Sequence, residues 1–182
     1  LKELNSQWQQ KGKPEAIQTY LDSKNTTSML ATGYACAYWV TNRFFQLAKY
    51  KIGLPNAIGG TGFAVRMDWL FNHGGFSYKS LTEDLEMEIE IVKSGGRILW
   101  NHHAGIYDEK PDDLKVSLRQ RTRWSQGHWY VAFKNFKHLS KCFIKEPKLK
   151  YIDQLLYLFG MGKGVQLLLA GMSLLILMVY YI

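Results

Sequence analysis

Residues 165–182 contain no charged side chain. A run of that kind must leave water, either as a buried core helix or as a membrane span. Eighteen helical residues at about 1.5 Å each reach about 27 Å, close to one hydrocarbon core. The flanks favour the span. Tyr180 and Tyr181 suit the interfacial level, and Lys134, Lys137, Lys141, Lys145, Lys148 and Lys150 precede the run, opposed there only by Glu146. Basic flanks stay inside, so residues 1–150 are expected on the cytoplasmic face of a membrane.

The remaining chain reads as a water-soluble domain. The whole sequence, 182 residues with a formal net charge of +8, is long enough to enclose one core. A basic excess can serve nucleic acid, an anionic membrane surface or a phosphorylated substrate; its place beside the apolar run favours the membrane. Two cysteines, Cys36 and Cys142, cannot build a disulfide framework. Asn25-Thr26-Thr27 matches a glycosylation acceptor, an accidental match on a cytosolic face. The chain begins at Leu1 without an initiator Met or signal peptide, and it stops in the apolar run. These features together lead us to expect an internal piece of a longer membrane protein.

Strand and helix patterns alternate. Leu1, Leu4 and Trp8 recur at helical spacing before Gly12 and Pro14, and residues 16–21 alternate as a strand. An aromatic-rich helix over about 26–50 (Tyr34, Tyr38, Trp39, Phe44, Phe45) ends near Gly53 and Pro55, its aromatic stripe reading as core. Gly59-Gly60-Thr61-Gly62 leads into a short strand at 63–66, and 68–72 makes one helical turn. A helix over about 82–94 carries Leu85, Ile89 and Val92 on one face and Met87 and Ile91 on another, so it is expected to lie between layers. A strand at 97–100 follows, then a long helix from 112 to about 136, a Lys-rich linker and a short amphipathic piece at 151–159. The fold class is α/β.

Two local patterns carry chemistry. Ser80 and Glu83 fit a capping box, so the acids Glu83 and Asp84 have a purely structural explanation in a first helical turn. The same position, where the helix dipole favours an ionised carboxylate, suits a general base. Gln120, Arg123 and Trp124 stand at i, i+3 and i+4 and share one helix face, with Gly127 leaving room for a close approach. Arg holds a diphosphate bidentately, Trp offers a ring to a sugar face and Gln bonds hydroxyls. The structural alternative is an amphipathic helix on a membrane surface, and the two readings are compatible. His102 and His103, adjacent on a strand, point to opposite faces and are not expected to share a metal.

Three stretches in order resemble the family 2 glycosyltransferases, in particular the cellulose, chitin and hyaluronan synthase-like membrane enzymes: Gly59-Gly60-Thr61-Gly62-Phe63-Ala64-Val65-Arg66, Leu81-Thr82-Glu83-Asp84-Leu85-Glu86, and Arg119-Gln120-Arg121-Thr122-Arg123-Trp124-Ser125-Gln126-Gly127. The resemblance implies a partial GT-A fold, Rossmann-like, followed by an interfacial amphipathic helix and a transmembrane helix. It implies inverting transfer of a sugar from a nucleotide-sugar, UDP-linked by expectation, to a saccharide or lipid-linked acceptor in polysaccharide synthesis. Asp84 would be the general base with Glu83 beside it. Gln120, Arg123 and Trp124 would contact the donor diphosphate and the acceptor end, and Gly60, Thr61 and Gly62 would line the acceptor side.

The family's D-x-D motif is missing from this sequence. A divalent metal, Mg or Mn, is therefore expected to be held by residues outside the chain, and the piece alone is expected to be inactive. Residues 1–110 would form the acceptor-side half of the catalytic domain, 111–150 the Q-x-x-R-W helix and Lys-rich linker, and 151–182 the interfacial piece and span. Membrane lipids are expected partners and nucleic acid is not. The rival is a membrane-tethered basic module that binds anionic lipid or nucleic acid without catalysis; it predicts binding that weakens with salt and ignores Asp84.

Overall fold

The computed structural model describes residues 1–160, 171–174 and 176–180. Half of the expected membrane span, residues 165–170, 175, 181 and 182, lies outside the described residues. Among the described residues, no helix is long and apolar enough to cross a membrane.

A three-stranded sheet organises the fold, in the order β2-β1-β3. The central strand β1 (Ala16–Ser23) pairs antiparallel with β2 (Phe63–Val65) and parallel with β3 (Ile98–Asp108). Ala16 to Thr19 are all buried on β1, because both faces of the strand are covered. Two of these residues, Gln18 and Thr19, are polar, and their side chains turn to the loop that precedes β2. Gln18 Nε2 donates to the carbonyls of Thr61 and Gly62 at 3.0 and 3.2 Å, while its Oε1 accepts from Gly59 N–H at 2.9 Å. The glycine loop is thereby fastened to the sheet by one buried amide.

Gly62 sits at φ +61°, and a Cβ there would lie 2.6 Å from Thr19 Oγ1 and 2.9 Å from Ile106 Cγ1. Gly62→Ala is expected to lower stability by about 2 kcal/mol, through left-handed backbone strain and overpacking together. Urea unfolding measures it, and an unchanged midpoint would contradict the tight seat of this loop.

The strand expected at 97–100 continues to Asp108. Thr19 faces Asn101 but Tyr20 faces Gly105, so His102, His103 and Ala104 bulge out of the register. The bulge corrects the expectation that the two histidines point apart: their rings meet edge to face with centroids 5.6 Å apart, and both are exposed. Asn101 Oδ1 closes the bulge by accepting from the N–H groups of His103 and Ala104 at 2.9 and 2.8 Å.

The helix expected over 26–50 is a continuous helical run containing α2 (Met29–Val40), a π-helical segment (Thr41–Gln46) and α3 (Leu47–Lys51). The π segment turns Asn42 and Gln46 inward. Asn42 Nδ2 donates to Leu21 O at 2.6 Å and Gln46 Nε2 to Ala57 O at 2.8 Å. The aromatic stripe is core only in part: Tyr34 is buried, whereas Trp39 and Phe44 are exposed.

Helix α4 (Met67–Asn72) adds Trp69 and Leu70 to the core, and α5 (Glu83–Lys93) lies between layers as expected, burying Leu85, Met87, Ile89, Ile91 and Val92. The capping box does not form. Thr82 is the N-cap without a side-chain bond, Glu83 is exposed, and it is Glu86 Oε2 that accepts from Ser80 N–H at 3.1 Å. Lys134 pairs with the other Glu86 oxygen.

The long helix α6 (Leu114–Lys145) starts at Asp113, whose side chain accepts from Val116 N–H at 2.9 Å. It runs past the expected end near 136, so Lys137, Lys141 and Lys145 are helical and no Lys-rich linker exists before α7 (Leu149–Phe159). Lysine spaced along an amphipathic helix is a solvated face, not a linker. Tyr151 and Leu158 of α7 join the core with Val131, Ala132 and Leu139 of α6. His128 of α6 donates a ring N–H to Leu158 O at 2.8 Å. An apolar cavity of about 480 Å³ beside α1 (Lys2–Gln10), β1 and β2 contains none of the candidate site residues.

Candidate active site at the junction of two helices

The first turn of α5 meets the middle of α6 at a glycine. Gly127 is buried, and a Cβ there would lie 2.7 Å from Thr82 Oγ1 and 2.8 Å from Thr82 N. Only a residue without a side chain lets α6 seat this closely on the Thr82-Glu83-Asp84 turn. The docking brings Arg123, one turn earlier on α6, within electrostatic reach of Asp84.

Asp84 is half-buried and meets the glycine loop from the other side: a Cβ on Gly60, where φ is +74°, would be 3.0 Å from Asp84 Oδ2. Asp84 Oδ1 accepts from Leu85 N–H at 2.8 Å. The helix dipole was expected to favour the charged carboxylate, but burial outweighs it. Burial raises the pKa of Asp84 above the usual carboxylate value, Glu83 adds to the rise, and the Leu85 N–H and Arg123 oppose it. A carboxylate with raised proton affinity is a better proton acceptor.

Beside this point lies a cavity of about 580 Å³, lined in part by Lys110, Asp112, Arg119, Gln120 and Arg123. Asp84 and Gly60 do not line it; Arg123 is the residue common to both places. Lys110 pairs with Asp108 at 2.7 Å, which leaves Arg119 and Arg123 as the cations of the cavity best able to meet an anion. Asp112 also lines it but is engaged by Asn25, Thr27 and Ser28 at the start of α2.

The expected site residues thus divide. Asp84, Gly60 and Arg123 converge, and Gln120 joins Arg123 in the cavity. Thr61 and Gly62 stand in the same loop but spend their carbonyls on Gln18. Glu83 is exposed at the helix start, and Trp124, half-buried, does not line the cavity. Among the described residues, no three His, Cys, Asp or Glu side chains gather as a metal set. The described residues therefore offer no such set to a divalent cation.

Sequence reasoning missed Gln18, Lys110 and Glu88. Glu88 is fully buried one turn beyond Asp84. Its position among Leu85, Ile89 and Val92 was a signal, because an acid on an apolar helix face is costly without a partner. Burial pushes its carboxyl up to about 7 against opposition from Lys49 and the Ile58 N–H, and the Asp84 charge adds to the rise. The folded state therefore holds a proton that the unfolded chain, with an ordinary value of 4.5, releases. Stability from this group is full below about pH 4.5 and is lost as pH rises towards 7, a change of about 3 kcal/mol. Glu88→Gln is expected to remove this slope and to raise the melting temperature at pH 8. Thermal unfolding from pH 5 to 8 checks it, and parallel wild-type and variant curves would contradict it.

A sequence profile described as Glycosyl transferase family group 2 matches residues 1–182. The "Probable glycosyltransferase YdaM" of Bacillus subtilis (strain 168) is 35% identical over 124 residues, covering 68% of this chain and 28% of that protein. A UDP-forming cellulose synthase catalytic subunit from Dictyostelium discoideum is 35% identical over 68 residues, which is 37% of this chain and 6% of that protein. The chain belongs to the glycosyl transferase family group 2. It spans well under two thirds of the length of either relative. The mixed α/β architecture, with its small sheet, is consistent with part of a GT-A fold.

Proposed function

We propose that this chain supplies the acceptor and leaving-group side of a membrane-bound inverting glycosyltransferase. The observation that carries the reading is the seating of Gly127 on Thr82, which brings Arg123 within electrostatic reach of Asp84, while Gly60 approaches Asp84 from the other side. Asp84 takes the proton of the acceptor hydroxyl. The hydroxyl oxygen bonds to the anomeric carbon of the donor sugar, and the bond from that carbon to the diphosphate breaks. The bonding electron pair leaves with the nucleoside diphosphate, whose growing charge is met by Arg123, with Gln120 and Arg119 beside it. Attack opposite the leaving group inverts the anomeric centre. Glu83 keeps the proton affinity of Asp84 high, and Trp124 offers its ring near the acceptor end.

A UDP-linked donor fits the name of the Dictyostelium relative, and a saccharide or lipid-linked acceptor in polysaccharide synthesis fits the same likeness. In this reading residues 1–110 are the acceptor-side half, 111–150 carry the leaving-group helix, and 151–182 lead into the membrane. A divalent metal belongs to the part of the protein outside this chain. Membrane attachment on the cytoplasmic face is supported by the uncharged run at 165–182 and by exposed aromatics on α6. Phe133 and Phe136 are half or more exposed, and both pack edge-on to Phe159. The test is sugar transfer by the full-length protein carrying Asp84→Asn; turnover near the wild-type rate would overturn the assignment of Asp84.

A further inference from the structure

Asp84 is not the only acid that touches the glycine loop. Glu88, four residues on, shares its face of α5 and is completely buried. Glu88 Oε2 accepts from Ile58 N–H at 2.9 Å. Two residues further along that backbone, Gly60 comes so close to Asp84 that a Cβ would be 3.0 Å from Oδ2. One helix thus holds one loop at two points, with the loop's chemical end at Asp84 and its anchor at Glu88.

We propose that Glu88 is a positioning residue for Asp84: by anchoring Ile58 it fixes the Ile58–Gly60 backbone against the base and so sets where the acceptor hydroxyl arrives. The proposal rests on the reading of Asp84 as the base. Gln18 holds Gly59, Thr61 and Gly62 from the β1 side, so Glu88 is the hold from the α5 side, and the Gly60 backbone, which has no side chain to pack, depends on it for its place against Asp84.

The surroundings explain why an acid can sit there. Lys49 of α3 approaches from one side but is matched by Asp153 of α7, with Nζ 2.7 Å from Oδ2. From α7, Gln154 stands near enough to interact with Glu88, although its amide atoms make no well-formed hydrogen bond, and Tyr157 is within electrostatic reach. Asp84 is the remaining charged neighbour, on the same helix. Glu88 Oε1 has no hydrogen-bond partner. A bare, buried carboxylate oxygen is costly, so the anchor works as a neutral acid, and an amide of the same shape can replace it.

The experiment compares Glu88→Gln with Glu88→Leu. In the full-length protein, E88L is expected to lower kcat for sugar transfer about 10²-fold with little change in donor KM, because the loop and base fall out of line. E88Q keeps an oxygen for Ile58 N–H and is expected to restore kcat to within about threefold. Equal rates in the two variants would overturn the positioning role. A second readout does not depend on catalysis. Amide exchange at Ile58 in the 182-residue chain is expected to quicken by at least about tenfold in E88L and not in E88Q, while β1 amides stay protected. Unchanged Ile58 exchange in E88L would overturn the anchor itself. A wild-type protein that transfers no sugar would instead remove the proposed function, leaving the exchange result to decide the anchor.

Discussion

Asp84→Asn is expected to cut sugar transfer by about 10³-fold, within the usual worth of a general base. The substitution keeps the shape of the side chain and the acceptor for Leu85 N–H, which Asp84 Oδ1 meets at 2.8 Å. It removes the proton acceptor and nothing else of size. Donor KM should therefore stay close to the wild-type value, because the cavity around Gln120 and Arg123 does not include Asp84. Stability should move the other way. Burial raises the proton affinity of Asp84, so folding at neutral pH works against its charge, and the neutral amide relieves that cost. Lost activity with an equal or higher melting temperature marks a residue kept for chemistry. Lost activity with a lower melting temperature would point to a structural acid instead.

Gly127→Val is expected to destabilise the fold by about 3 kcal/mol and to lower transfer about 10²-fold even where the protein stays folded. The Cβ would fall 2.7 Å from Thr82 Oγ1 and 2.8 Å from both Thr82 Cγ2 and Thr82 N. A side chain can rotate away, but a backbone nitrogen at a helix start cannot. The first turn of α5 and the middle of α6 must then separate, and Asp84 loses Arg123. Guanidinium unfolding and the transfer rate of the full-length protein measure the two effects. A stable, active Gly127→Val would contradict the close seating of the helices.

Much of this site was legible in the sequence, and the reason is local. Helical spacing put Gln120 and Arg123 on one face, and the turn-forming glycines at 59–62 announced a backbone a ligand can approach. The long helix was expected to begin at 112, and Asp113 caps it. What failed depended on contacts distant in the chain. The capping box at Ser80 and Glu83 is a local pattern that lost to Glu86, whose position is fixed by Lys134, 48 residues away. His102 and His103 were placed by strand alternation, which the bulge opposite Thr19 and Tyr20 cancels. Gln18 looked like one polar step of an alternating strand, yet it is buried because β1 is covered on both faces, and it carries the loop. The sign of the pKa shift at Asp84 was also misjudged, since the dipole is visible from sequence and burial is not.

The union of Asp84 and Arg123 in one site is tested most directly by the pH dependence of kcat/KM in Arg123→Gln. Arg123 lowers the proton affinity of Asp84, so its removal leaves burial and Glu83 less opposed. The acid limb of the profile is predicted to move to higher pH, on top of a lower maximum rate from the lost diphosphate contact. A lower maximum with the acid limb unmoved would contradict the account, because it would mean that the group titrating in catalysis does not face Arg123.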